Sequence, residues 1–288
     1  MANNEDFTPS SAAIKLSHWL DAFASLGTLR FPVDVNALAL AVGSQLRWTD
    51  TITSVQAVPL ASFEGGLFHL QNGAWALLYN EKMTSQGRIR FTQAHELGHF
   101  LLHRNKQSSF ECSESDLLHW GSELINMESE ADDFAAKLLM PLTHFRQATS
   151  GQPISLEILS VVANKFGVSL TAAALQWIKS TEESAVLVMS RDGFIVWSVS
   201  SDRAYKNGVF IRTKGLTIEL PVGSLAADQS ISDDKHGVRI SLKTWFENAH
   251  ADAVMREMKL VCSNYGYSLS LLHLSLSDKT FPLGHWPD

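Results

Sequence analysis

The five residues His95-Glu96-Leu97-Gly98-His99 constrain this chain more than any other segment. They lie within 91–103, whose apolar spacing predicts a helix. Residues four apart on a helix lie on one face about one turn apart, so both imidazoles can bind a single metal ion. Glu96 lies at the edge of that face, where it can act as a general base toward a water molecule at the metal. A chance match is expected in about 2% of shuffled chains of this composition, so incidental histidines on a buried helix are the weaker interpretation.

A metal site of this kind needs a third protein ligand, and Glu128 is the residue that we select. The spacing of apolar residues predicts a second helix over 123–139. Glu128 lies three residues before Ala131, which belongs to the apolar stripe of that helix, so both share the inward face. The predicted metal ligands are therefore His95, His99 and Glu128.

Other polar residues near these ligands leave alternatives open. Glu130 is a rival third ligand on the same geometric grounds, whereas Asp132 and Asp133 are expected to be rotated away from the site. His103 follows His99 by four residues and extends the same face by one turn. It either assists the site or, as we expect, is a partly exposed histidine that interacts with the C-terminal dipole of the helix.

Short apolar runs between residues 45 and 80, separated by Gly, Asn, Ser and Pro, predict a small, mostly antiparallel sheet. Its last run, 74–79, is either a buried structural strand or an exposed edge to which an extended substrate adds. Tyr79 and His119 are candidates for polarising a substrate carbonyl, and the sequence does not separate them.

Two segments carry a resemblance to a known family. Residues 91–103 read FTQAHELGHFLLH and residues 128–141 read ESEADDFAAKLLMP. With the weaker FPVDV at 31–35, they resemble the ImmA/IrrE family of metallopeptidases over roughly residues 13–180. The resemblance implies a zinc-dependent endopeptidase of the gluzincin kind, whose members cut helix-turn-helix repressors and so release transcription.

The resemblance also implies roles for individual residues. His95, His99 and Glu128 are expected to bind Zn²⁺, and Glu96 is expected to be the catalytic carboxylate. At these four positions the sequence does not depart from the family's pattern.

We predict an α+β fold in three parts. A zincin-like, gluzincin-type metallopeptidase core occupies 11–141, and a helical, helix-turn-helix-like extension occupies 142–182. An α+β regulatory or sensor domain follows at 184–288, after the polar segment 179–184.

Within 184–288 the pattern predicts mostly strands. Arg191-Asp192-Gly193 lies between two apolar runs and predicts a hairpin. A helix is expected within 245–260. The segment resembles the GAF-like, small-molecule-sensing appendage of the IrrE branch, although no motif matches residue by residue.

Direct binding to nucleic acid is disfavoured by charge. The formal net charge is −7, whereas a surface that follows phosphates is basic. Residues 154–178 read as helix, tight turn and helix, but the second helix, 170–178, contains no Lys or Arg. We expect this segment to pack or to dock a substrate. A DNA-binding regulator that acts through 154–178 is a third alternative.

The partner that the resemblance implies is a protein substrate, a helix-turn-helix repressor. Between Lys106 and Lys137 there is no Lys or Arg, while eight residues are Asp or Glu. Such runs are usually solvated faces, but an acidic rim would also attract a basic partner. The alternative function is a metal-binding regulator without protease activity that docks a repressor or antitoxin and does not cut it.

Cysteine usage points to a reducing compartment. Cys112 and Cys262 lie 150 positions apart and are too few for a disulfide framework. The acidic start lacks a signal-peptide pattern, and no segment approaches the roughly 18 apolar residues of a membrane span. We therefore expect a cytoplasmic protein with no membrane segment, and the sequence predicts no oligomeric state.

Overall fold

A mixed α+β architecture is seen in the computed structural model, which describes residues 7–60, 63–112, 123–262 and 265–274. The described residues form two compact units. The first unit takes residues up to 148 together with 163–169, and the second takes 149–162 together with the chain from 170 onward. The α+β class is thus confirmed, while the predicted boundaries at 141, 142, 182 and 184 remain predictions.

Five of the helices in the described residues begin in the first unit. They are α1 (Pro9–Ser25), α2 (Val35–Gln45), α3 (Gln86–His103), α4 (Glu123–Leu139) and α5 (Leu142–Thr149). Asp34 caps α2, because its carboxylate accepts a hydrogen bond from the Ala37 amide at 3.0 Å.

A four-stranded sheet accompanies these helices. Its strands are β1 (Ile52–Val58), β2 (Gly65–His69), β3 (Trp75–Asn80) and β4 (Ser109–Cys112). Their order is β1-β3-β2-β4, with β1 parallel to β3 and the other two pairs antiparallel. Strand β3 pairs with β1 on one side and with β2 on the other, so it is an inner strand of the sheet. The interpretation of 74–79 as an exposed edge is therefore wrong.

The second unit is built around a six-stranded antiparallel sheet of order β7-β6-β5-β10-β9-β8. Its strands are β5 (Ser184–Arg191), β6 (Phe194–Ser200), β7 (Ile218–Glu219), β8 (Asp233–Ser241), β9 (Val254–Cys262) and β10 (Tyr267–Leu274). The predicted hairpin is the β5–β6 pair, and its turn uses Asp192 and Gly193 with φ of 51° and 84°. The unit also holds a cavity of about 620 Å³ beside this turn. The likeness to a GAF-like domain remains a prediction.

The prediction of a helix within 245–260 is wrong. That stretch contains β9, and the helical turn nearby is a short 3-10 helix, Leu242–Thr244. The apolar spacing of this stretch does not show the alternation of polar and apolar residues that is typical of a strand. The reason is that the polar residues Glu257 and Lys259 of β9 are buried together with its apolar residues. The Glu257 carboxylate accepts hydrogen bonds from the Leu225 and Ala226 amides and the Trp245 indole, three donors remote in sequence.

Helices α6 (Leu156–Phe166), α7 (Leu170–Ser180) and α8 (Asp202–Lys206) complete the described elements. Among the described residues no single helix is long and apolar enough to cross a membrane. In that part of the chain one pair of helices, α6 and α7, reaches the length and composition together, and the pair is bent by 109° at the break between the two helices.

Part of the predicted extension makes contacts within the second unit. The Thr171 and Tyr267 hydroxyls lie 3.0 Å apart, and Lys235 Nζ lies 3.1 Å from Glu157 Oε2. Trp177 and Ile178 of α7 are buried.

We therefore expect a fragment of residues 1–180 to aggregate. Without β5 to β10, the apolar face of α7 would lose the sheet of its own unit and be exposed to water. The soluble fraction after expression, compared with that of the intact chain, measures this effect. A soluble fragment that unfolds cooperatively would contradict the expectation.

Candidate metal centre

The packing of α3 against α4 positions the predicted site. α3 is buried along Thr92–Leu101, and α4 crosses it where Gly98 has no side chain. A Cβ at position 98 would lie 3.0 Å from Phe134 Cδ1 and 3.2 Å from Ala131 Cα. The helices therefore approach closely, and Glu128, one turn before Ala131, faces the two histidines.

Gly98→Val is accordingly expected to destabilise the fold by about 1–3 kcal/mol, because the added carbons overpack a tight helix crossing. It should also weaken metal binding, since α4 carries Glu128 and would be displaced. Thermal unfolding and metal titration measure both effects. Ala37→Val, at an exposed helical position of α2, is the control for adding a β-branched residue to a helix. Wild-type thermal stability and metal affinity in Gly98→Val would contradict the role of the close helix crossing.

The side chains of the three predicted ligands converge at this crossing. His95 Nε2 lies 2.9 Å from His99 Nε2 and 3.0 Å from Glu128 Oε2, and His99 Nε2 lies 3.3 Å from Glu128 Oε1. Ligands at 2.0–2.1 Å from a tetrahedral ion would be about 3.3–3.4 Å apart, so the observed spacing is close to that of a metal site. The three side chains could therefore hold one metal ion.

Asp132 departs from its predicted orientation. It was expected to be rotated away, yet its Oδ1 lies 2.9 Å from His95 Nδ1. The physical reason is that Asp132 follows Glu128 by four residues and so shares its face of α4. If His95 Nδ1 donates its proton to Asp132, the Nε2 nitrogen keeps the lone pair that a metal ion beside Glu128 and His99 would take.

His103 and Glu130 also differ from expectation. His103 is fully buried rather than partly exposed, and its Nδ1 lies 3.0 Å from His99 Nδ1. Its Nε2 lies 2.8 Å from Glu130 Oε2. The Glu130 carboxylate therefore pairs with His103, whereas the Glu128 carboxylate lies among the converging ligand atoms.

Glu96 is fully buried, and neither of its carboxylate oxygens has a hydrogen-bond partner among the described residues. Strand β2 covers it at Gly65, where a Cβ would lie 3.2 Å from Glu96 Oε1. Burial raises the pKa of Glu96 to about 8, with a smaller opposing effect from His95. The side chain can therefore hold or release a proton near neutral pH.

This shift predicts a pH dependence for the metal-free protein. The pKa of Glu96 is about 8 in the folded state and near 4.5 in the unfolded chain, so between these values only the folded state keeps the proton. The free energy of unfolding should thus fall as pH rises from about 4.5 through about 8. Chemical denaturation at several pH values should show this slope, and Glu96→Gln should reduce it. Equal slopes in the wild type and in Glu96→Gln would contradict the raised pKa of Glu96.

Two of the predicted ligands, His99 and Glu128, are in protonation states that can bind a metal ion. Burial lowers the pKa of His99 to about 4, so its ring stays neutral near pH 7. Burial alone would raise the pKa of Glu128, but the neighbouring His95 and His99 outweigh it and lower that pKa to about 2. A neutral imidazole beside an ionised carboxylate is the state that a cation requires.

The structure assigns the role of polarising a substrate carbonyl to neither of the two candidates. Tyr79 lies in β3, and none of the described hydrogen bonds joins it to the converging ligand atoms. His119 lies outside the described residues.

Comparison with known proteins identifies a domain over this region. Residues 50–177 match the Peptidase_M78 family, described as the IrrE N-terminal-like domain. Among solved structures, a Mycobacterium tuberculosis transcriptional regulator is similar with a TM-score of 0.52 and 11% sequence identity, over 92% of this chain and 76% of that chain. At that identity the likeness concerns the fold alone. No curated protein matches the chain significantly.

Proposed function

Because residues 50–177 match the IrrE N-terminal-like domain, which supports membership of the ImmA/IrrE family, we propose that this chain is a zinc-dependent endopeptidase. The convergence of His95 Nε2, His99 Nε2 and the two carboxylate oxygens of Glu128, at distances of 2.9–3.3 Å, is the observation that carries the proposal. Two imidazoles and one carboxylate, with a further position left for water, are the ligand set of catalytic zinc in many peptidases.

The residues present fit Zn²⁺. His95 Nε2, His99 Nε2 and the Glu128 carboxylate face the same point, and imidazole nitrogen and carboxylate oxygen are both ligands that Zn²⁺ accepts. When bound, Zn²⁺ would supply a Lewis acid that polarises the scissile carbonyl and lowers the pKa of water toward about 7.

Glu96 would move the proton in this reaction. Its buried carboxylate would take a proton from the attacking water and deliver it to the leaving amine. The covering strand β2 excludes solvent from Glu96, which keeps its basicity high. His95 and His99 would orient the reaction by holding the ion, and Asp132 would orient His95.

The proposed substrate is a protein, a helix-turn-helix repressor, as the family resemblance implies. Exposed carboxylates near the site support a basic partner. The side chains of Glu130 and Asp132 on α4 are 47% and 36% exposed. Their charge would attract the basic surface that such repressors present to DNA.

The test is cleavage of a repressor encoded beside this chain's gene. The two purified proteins are incubated with Zn²⁺, and the products are identified by mass spectrometry. We expect defined fragments that do not form in the presence of a chelator. Binding of the repressor without cleavage would favour the alternative, a regulator that docks its partner and does not cut it.

A further inference from the structure

We infer that His103 and Glu130 position His99 by holding its imidazole in the tautomer whose Nε2 lone pair faces His95 and Glu128. The inference rests on the zinc site proposed above and extends it to two residues that do not touch the ion. They are positioning residues, because they act through His99.

The geometry joins the three side chains in a row. His103 lies one turn after His99 on α3 and is fully buried, and its Nδ1 is 3.0 Å from His99 Nδ1. Two ring nitrogens at this distance form a hydrogen bond only if one donates and the other accepts. Phe110 of β4 stacks on the His99 ring, with centroids 4.5 Å apart and planes 16° apart, and so fixes the plane of the ring.

The direction of this hydrogen bond decides whether His99 can bind a cation. His99 binds through Nε2 only when that nitrogen bears a lone pair, and its proton is then on Nδ1. The Nδ1–H of His99 must therefore donate to His103 Nδ1, which in turn must carry no proton. A neutral His103 satisfies this condition only when its own proton is on Nε2.

Glu130 supplies the acceptor that keeps the His103 proton on Nε2. A buried N–H needs a partner, and Glu130 Oε2 lies 2.8 Å from His103 Nε2. Without Glu130, a neutral His103 is free to hold its proton on Nδ1. That proton would point at His99 Nδ1 and drive the His99 proton to Nε2, where it blocks metal binding.

The two histidine ligands are thus oriented by different means. Asp132 contacts His95 directly at 2.9 Å, whereas Glu130 reaches His99 only through the His103 ring. Loss of such an outer partner typically weakens metal binding by about 10–100-fold.

The test measures the affinity of the full chain for Zn²⁺ by competition with a chromophoric chelator at constant pH. His103→Leu removes the acceptor, whereas His103→Asn restores an amide oxygen near the position of Nδ1. Glu130→Ala removes the terminal carboxylate. Asp133→Ala is the matched control, because Asp133 lies on the same helix and its side chain is as exposed as that of Glu130, at 47%, but it pairs with Lys137.

We expect His103→Leu and Glu130→Ala to bind Zn²⁺ at least about 10-fold more weakly than the wild type. His103→Asn should recover part of that loss, and Asp133→Ala should stay within about twofold of the wild type. Recovery by asparagine separates a hydrogen-bonding role from a purely structural one.

Three outcomes would overturn the inference. The first is wild-type affinity for Zn²⁺ in His103→Leu and Glu130→Ala, which would leave the proposed zinc site intact. The second is an affinity of His103→Asn for Zn²⁺ that is as low as that of His103→Leu. If the leucine variant fails to fold, Glu130→Ala alone decides, because its side chain is half exposed. A wild-type chain that binds no Zn²⁺ would overturn the proposed function itself, and the inference with it.

Discussion

Replacing either His95 or His99 with alanine is expected to abolish stoichiometric zinc binding. Each substitution leaves one imidazole and one carboxylate, and a two-ligand site holds zinc poorly. Glu128→Ala should weaken binding strongly for the same reason, because it removes the carboxylate that lies 3.0 Å from His95 Nε2. Elemental analysis of the purified variants after removal of free metal measures the zinc content.

His144→Ala is the matched control for these variants. His144 lies in the same unit on α5, and its Nε2 is 3.5 Å from Asp21 Oδ1 rather than near the site. It should retain one zinc per chain. Full zinc content in Glu128→Ala combined with loss in Glu130→Ala would transfer the ligand role to Glu130, against the geometry described above.

Glu96→Gln should abolish cleavage while leaving the metal in place. Glutamine keeps the size and hydrogen-bonding groups of the side chain but cannot take a proton from water. Loss of a general base typically costs about 10²–10⁴-fold in rate, and the substitution removes no ligand atom. Initial rates of repressor cleavage, with zinc content measured in parallel, report both properties.

Asp50→Asn provides a matched control for Glu96→Gln. Asp50 also contributes a carboxylate to the first unit, but it pairs with Arg104 at 3.1 Å and is outside the site. It should cleave at a rate close to that of the wild type. A Glu96→Gln variant that cleaves at the wild-type rate would show that the proposed base is wrong.

The parts of the fold with local signals were predictable from the sequence. These parts are α1, α2, α3 and the β5–β6 hairpin. Each is defined by capping residues, apolar spacing or turn residues that lie within or next to the element itself. His95, His99 and Glu128, which the patterns of 91–103 and 128–141 predict as ligands, lie next to one another, and their role as metal ligands stays a prediction.

The remaining features depend on partners remote in sequence. Burial of His103 follows from Phe110 and Glu130, which a helical pattern over 91–103 does not contain. The strand character of β9 depends on donors at 225, 226 and 245 that satisfy Glu257. Asp132 is different, because its i+4 spacing from Glu128 was a readable signal that the prediction missed.

X-ray absorption at the zinc K edge of the zinc-loaded full chain tests the central claim most directly. It reports the number and type of atoms bound to the ion. The account predicts two imidazole nitrogens with oxygen ligands and no sulfur, all at about 2.0–2.2 Å. A first shell that contains sulfur, or one without imidazole, would contradict a catalytic zinc held by His95, His99 and Glu128.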